Sequence, residues 1–293
     1  MMIHLERSVG SGGRNLPIDV AGATDLLNAA LTQELPLKWS GVYGGTLEDH
    51  IFIFQREAGH MHTPDGRIEP HGHTLQLLNH AASHAQLPLT HKQGSAAYRG
   101  RWFLDADKLS TLYGLQFGKV PSGLKVLASA IQLDPAIQDI RWIAYMLATA
   151  WWETGRKFEP VREDGQGADH DYGDPVTYQD SDGNKYTNVY YGRGYVQLTW
   201  EDKYLSLGKA IGLDDALAIN PDLALDPKIA YQVMSYGMTH GSFTTAHHKL
   251  ADYIDDQKCD YFRARRIING LDHATEIAAQ AAKLEMLLRL SCE

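Results

Sequence analysis

Two glutamates ten residues apart frame the chemistry open to this chain. Glu153 closes the run Ala150-Trp151-Trp152-Glu153-Thr154-Gly155, and Glu163 ends Phe158-Glu159-Pro160-Val161-Arg162-Glu163. At the end of an apolar stretch, Glu153 has desolvating aromatic neighbours and the negative end of a helix dipole, a setting that suits a proton donor. Glu163 falls beyond the helix in a polar loop, from which it can face Glu153 across a cleft. Glycoside hydrolysis uses such a pair, one carboxyl protonating the leaving oxygen and the other activating water. Glu159 competes for the second role, with Asp164, Asp169 and Asp171 behind it. On spacing alone each acid is equally a solvating surface group.

The elements that must position these residues read as helices. Over 139–154, Ile140, Ile143, Ala144, Leu147, Ala150 and Trp151 share one face, while Trp142, Tyr145, Ala148 and Trp152 share the other. A helix apolar all round belongs in the middle of a domain. Further helices are expected at 201–211, 227–240, 246–254, 259–269 and 274–290, with room for a short β-hairpin in 176–198. Earlier, Asp19 is placed to cap a helix carrying Val20, Ala23, Leu27 and Ala30. Thr46 opens another with Leu47, Ile51, Phe54 and Ala58, and a turn at Pro64-Asp65-Gly66 leads to Leu75–Leu78. The fold class is mainly all-α. Residues 1–82 form a small three-helix module, 83–99 a linker rich in His, Gln, Gly, Ser and Pro, and 100–293 a catalytic domain.

The segment Tyr190-Tyr191-Gly192-Arg193-Gly194-Tyr195-Val196-Gln197-Leu198-Thr199-Trp200 combines glycines that permit close backbone approach with polar and aromatic groups suited to sugars. Together with Glu153-Thr154-Gly155, the Phe-x-Pro-Val-Arg-Glu run and Arg265-Arg266-Ile267-Ile268-Asn269-Gly270, it resembles the family 19 glycoside hydrolases, which comprise chitinases and phage endolysins. The resemblance spans about residues 140–271. It implies a lysozyme-like, two-lobed helical domain and an inverting reaction, with Glu153 as general acid and Glu163 as general base. By the same resemblance Thr199 holds the attacking water, and Tyr191, Arg193, Gln197, Asn269 and Arg266 contact substrate. One departure is Lys203-Tyr204, where the family often has Asn-Tyr.

Residues 8–82 resemble the peptidoglycan-binding modules found beside cell-wall hydrolases, through Ile53-Phe54-Gln55, Asp65-Gly66-Arg67-Ile68 and Gly72-His73-Thr74-Leu75. The module and the scarcity of cysteine shift the expectation toward an endolysin-type hydrolase of the β-1,4 bonds of murein. The alternatives are a chitinase with the same acid pair and a wall-binding protein that has lost activity.

Composition bounds the rest. A formal net charge of −9 argues against a nucleic-acid partner, which needs a basic face. Two cysteines, Cys259 and Cys292, cannot build a disulfide framework. Met1–Gly13 carries Glu6 and glycines where an export signal needs an apolar core, so synthesis in the cytoplasm and later release to the wall are expected. The longest apolar run, Trp142 to Trp152, is too short for a bilayer. A monomer is expected, with peptidoglycan as its partner and no membrane. No cofactor or metal is expected: His60, His62, His71 and His73 lack the spacing of a metalloprotease helix. Neither a Gly-x-Ser-x-Gly elbow nor a phosphate loop occurs.

Overall fold

Residues 2–31, 37, 40–84 and 103–292 are described by the structure, a computed structural model. They group into two units, one drawn from Met1–Ser95 and Lys108–Lys119, the other from Ala96–Asp107 and Val120–Glu293. Helix α4 (Ala106–Phe117) falls mostly in the first. The sequence places these residues with the catalytic domain. One tie within the first unit is the Gln116 side chain, which accepts the backbone N–H of Ile18 at 3.3 Å. The expected linker lies outside the described residues except for Ser83 and His84, which end a helix.

In the first unit, α1 (Pro17–Ala30) starts at a proline, whose missing N–H costs nothing at a helix's first position. Asp19 does not cap it. Its carboxylate lies inside the helix and takes the backbone N–H groups of Glu6 and Arg7, each at 2.8 Å. Thr46 likewise falls inside α2 (Gly45–Glu57), with Gly44 at the cap. Together with α3 (His73–His84), these helices bury Val20, Leu26, Leu27, Ile51, Phe54 and Leu78 in one core. A two-residue antiparallel pair, β1 (Val9–Gly10) with β2 (Arg67–Ile68), closes over it.

Gln55, buried in that core, ties together three short segments of this unit. Its Oε1 accepts the N–H groups of Asp65 (3.1 Å) and Gly66 (2.9 Å). Its Nε2 donates to Asp65 Oδ1, Arg67 O and Thr74 Oγ1 at 2.6, 2.9 and 3.1 Å. Gly66 turns the chain there at φ +66°, a conformation that favours glycine. Phe-Gln, Asp-Gly and Gly-x-Thr are therefore three parts of one hydrogen-bonded clamp. Gln55→Ala strands the buried N–H of Gly66 and removes the acceptor of Asp65 N–H, and should cost about 1–3 kcal/mol in stability. Urea unfolding checks this; an unchanged midpoint would refute the clamp.

The second unit is built on α6 (Ile140–Glu153), buried along most of its length and packed on α11 (Ala274–Ser291). Asp139 caps α6 through the N–H of Arg141, and its carboxylate also pairs with the buried Arg141 guanidinium. Trp142 Nε1 donates to Ile254 O at 2.9 Å. Helix α5 (Gly123–Gln132) packs on α6 and on α9 (Pro227–His240), and α7 (Glu201–Ala210) packs on α9 and on α8 (Ala216–Ile219). The hairpin exists as β4 (Val176–Gln179) against β5 (Lys185–Asn188). A second pair, β3 (Val161–Arg162) with β6 (Arg193–Gly194), falls within the cleft-forming region.

Two helices expected from the sequence are shorter. Residues 246–254 yield only a 3₁₀ turn at Leu250–Asp252, preceded by His247 in the left-handed region at φ +54°. Residues 259–269 yield α10 (Tyr261–Ala264) and a 3₁₀ turn at Arg265–Ile267. Asp260 caps α10, while the antiparallel bridge of Ile254 to Cys259 keeps the preceding backbone extended. No helix among the described residues is long and apolar enough to cross a membrane.

Candidate active site

A cleft of about 790 Å³ opens in the second unit, and Glu153 and Glu163 both line it. Of the other expected site residues, Gln197, Thr199, Arg266 and Asn269 line it too. Tyr172, Trp200, Lys203, Arg265 and the stretch Phe243–Ala246 complete much of the wall.

Glu163 is held by strand pairing. Val161 and Arg162 of β3 stand opposite Gly194 and Arg193 of β6, so the next residue, Glu163, falls opposite Gly192. Its N–H donates to Gly192 O, and Gly192 N–H returns a bond to the carboxylate Oε2, both at 2.8 Å. A side chain at Gly192 would press within 2.8 Å of Gln197 Oε1 and 3.3 Å of Glu163 Cβ. It would push Gln197 aside and crowd Glu163. Glu163 Oε1 accepts the Tyr172 hydroxyl at 2.7 Å. Burial, reinforced by that bond to Glu163, pushes the Tyr172 phenol up to about 12, so it stays a donor at neutral pH. The Tyr172 ring stacks on His170 and meets Trp200 edge-on, with centroids 4.9 and 5.7 Å away. Trp200 is half exposed and has φ +71°.

Glu153 ends α6, and the chain then turns sharply. Thr154 Oγ1 donates to Ala150 O and accepts Phe158 N–H, drawing the turn back against the helix end. The sequence offers no hint of an ion pair at Glu153, and none is expected there; the structure overturns this. Arg265 Nη1 donates to Glu153 Oε1 at 2.5 Å, and the two side chains are only 5% and 13% exposed. Arg265 Nε is spent on Asp272 O at 3.1 Å. Among the described residues Glu153 Oε2 has no hydrogen-bond partner, which leaves it for a ligand in the cleft.

Glu159, the competing base, is exposed, takes a hydrogen bond from Ser122 and does not line the cleft. Asp164, Asp169 and Asp171 are exposed and also absent from the wall. The geometry therefore brings Glu163, and none of the rivals, into the cleft with Glu153.

Two residues expected to contact sugar, Arg193 and Tyr191, are buried and do not line the cleft. Arg193 is 5% exposed, with its donors spent on Val189 O, Tyr191 O, the Tyr204 hydroxyl and Asp222. Burial works against the Asp222 charge, but hydrogen bonds from Arg162 and Arg193 outweigh it and hold the carboxyl below its usual range. Tyr191 is also buried, with the Arg193 guanidinium 3.6 Å above its ring. Neither lines the cleft; Arg193 packs on Tyr191 and braces the strand pair next to Glu163. Gln197 lines the wall, yet its Nε2 faces Val161 O and Gly194 O at 3.2 and 3.3 Å and so ties β3 to β6. Asn269 Oδ1 accepts Gly270 N–H at 2.8 Å.

Thr199 is half-buried on the wall, and among the described residues its hydroxyl bonds to no protein group. Thr199→Ala should lower turnover on the order of tenfold, the worth of one hydrogen bond to a charged or polarised partner. Thr199→Ser should stay within a few-fold of the parent. Steady-state rates for the two variants decide it: equal impairment would assign the role to the methyl group's packing.

Among the described residues no three His, Cys, Asp or Glu side chains converge as a metal site. No curated protein matches the chain. Solved structures similar to the chain include chitinase C from Streptomyces griseus HUT6037 (20% identity, TM-score 0.41) and a point mutant of chitinase C (20%, 0.39). Each alignment covers 64% of this chain and 97% of the other. Residues 153–263, which contain both glutamates, the Gly-Arg-Gly turn and most of the cleft wall, match the family model of chitinase class I, glycoside hydrolase family 19.

Proposed function

We propose that the protein is an endolysin-type peptidoglycan hydrolase that cleaves β-1,4 glycosidic bonds of the murein glycan strand with inversion. The observation that carries the chemistry is the asymmetric preparation of two carboxylates in one cleft. Glu163 is fixed by a donor on each oxygen, as a base that must aim at one water should be. Glu153 is fixed through Oε1 alone, and Oε2 is left to carry the proton. In the reaction the Glu153 proton passes to the departing glycosidic oxygen. Glu163 takes a proton from water as its oxygen attacks the anomeric carbon from the other face. Thr199 holds that water.

The choice of murein rests on the Gln55-clamped three-helix unit, whose motif is that of wall-binding modules. That unit tethers the enzyme to its insoluble substrate and raises the local concentration of glycan. The protein reaches the wall after release from the cytoplasm. The second reading is a chitinase acting on N-acetylglucosamine polymers, favoured by the family model's own description as chitinase class I. Mass spectrometry of products from purified peptidoglycan separates the two. Muropeptide glycan fragments with new reducing ends are expected. Release of chitooligosaccharides from chitin, with peptidoglycan left intact, would establish the second.

A further inference from the structure

The chain carries a net charge of −9, yet the described wall of its cleft holds three cations, Lys203, Arg265 and Arg266, against two carboxylates, Glu153 and Glu163. Arg265 is already engaged by Glu153 Oε1 and Asp272 O. Lys203 and Arg266 form no ion pair among the described residues, although each has a long side chain able to reach an acid. Lys203 is half-buried and spends one of its three donors on Ser242 O at 3.1 Å, which anchors the ammonium beside the cleft and leaves two donors for a ligand. Arg266 is exposed, one residue past the buried Arg265; its guanidinium lies within reach of the Tyr253 hydroxyl and lines the same space with donors to spare. His248 stands on the same wall.

Cations on an acidic protein are a selective feature, because everywhere else its field repels an anionic ligand. A neutral homopolymer of N-acetylglucosamine gives two unpaired cations nothing to bind. A glycan whose sugars bear acid groups does. We infer that Lys203 and Arg266 are specificity-determining residues that pair with carboxylates hung from the glycan strand, the free carboxylates of the stem peptides. This rests on the murein reading above and deepens it: the cleft selects an acid-bearing strand over an uncharged one. The lysine contributes an anchored point charge, and the arginine fork accommodates a carboxylate through two parallel bonds.

The test uses the full chain and one substrate in two charge states: purified peptidoglycan strands, either native or with their carboxylates amidated. The parent should show kcat/KM on the order of tenfold higher on native strands, and added salt should erode that preference. In Lys203→Gln, Arg266→Gln and the double variant the ratio of native to amidated rates should fall stepwise toward one. The ratio is internal to each variant, so partial loss of folded protein leaves it unmoved. Equal rates of the parent on both forms, or a ratio preserved in the double variant, would overturn the proposal while leaving murein hydrolysis in place. A parent that cleaves neither form yet hydrolyses N-acetylglucosamine hexamer would bring down the murein reading itself, and this proposal with it.

Discussion

Glu163→Gln should leave a protein that melts like the parent and hydrolyses glycan on the order of 10²–10⁴-fold more slowly, the usual loss when general-base help is removed. The amide fits the same two partners. Its oxygen accepts Gly192 N–H, and its NH₂ donates to the Tyr172 hydroxyl, which rotates to become the acceptor. Glu153→Gln should lose a similar factor because an amide has no proton to give. Its stability should also fall by about 1–3 kcal/mol, since Arg265 then faces a neutral acceptor from a largely buried position. Glu159→Gln should stay within a few-fold, because that side chain is exposed and bonded to Ser122 away from the cleft. Reducing-end release from purified peptidoglycan gives the rates, and thermal melting gives the folding control. A folded Glu163→Gln protein with near-parental turnover would sink the two-carboxylate mechanism. Inactivity of Glu159→Gln beside an active Glu163→Gln would contradict the geometry of β3 and β6.

Much of this site is legible in the chain because its parts are local. The all-round apolarity of residues 139–154 is enough to put α6 in the middle of its unit and Glu153 at its end. The glycines of the 190–200 segment announce a close backbone approach, and that approach is Gly192 against Glu163. What the segment cannot tell is which side of the strand pair each residue serves. A sugar-binding role for Arg193 and Tyr191 follows naturally from polar and aromatic character, yet both are buried bracing groups, because an arginine ringed by carbonyls and a tyrosine face is also a satisfied one. Tyr172 was equally hidden. It is one more aromatic residue in a polar loop, and only the fold of that loop brings its hydroxyl to Glu163. Lys203 is visible in sequence as an oddity; that it is anchored, unpaired and aimed along the cleft wall is a tertiary fact. The two shortened helices share a cause. Apolar spacing at 246–254 and 259–269 fits a helix, while the Ile254–Cys259 bridge and the left-handed His247 interrupt it through backbone bonds that no periodicity reports.

The Arg-Arg pair at 265–266 shows the same limit sharply, and carries the second large effect. Successive residues of a 3₁₀ turn point about 120° apart. Arg265 therefore enters the interior toward Glu153, 112 residues away in sequence, while Arg266 stays exposed. Swapping the two roles costs nothing in composition, so sequence alone cannot assign them. Arg265 uses Nη1 on Glu153 and Nε on Asp272 O at once. Lysine keeps the charge but has a single nitrogen at the tip, so it cannot hold both partners with the planar fork. Arg265→Lys should cut kcat on the order of 10–100-fold while moving KM little, since it loosens the aim of the acid rather than the grip on the strand. Arg265→Leu should go further and destabilise the fold by about 3–5 kcal/mol, because it strands a largely buried carboxylate. The two effects on stability belong to one interaction, so they should not add. In the double variant Glu153→Gln/Arg265→Leu, the loss should fall short of the sum of the single losses by about 1–3 kcal/mol. Denaturant unfolding of the four proteins in that cycle measures the coupling. Strict additivity would mean that the close approach of Arg265 to Glu153 does not hold the acid, and the reading of Glu153 Oε2 as the oxygen left to carry the proton would lose its support.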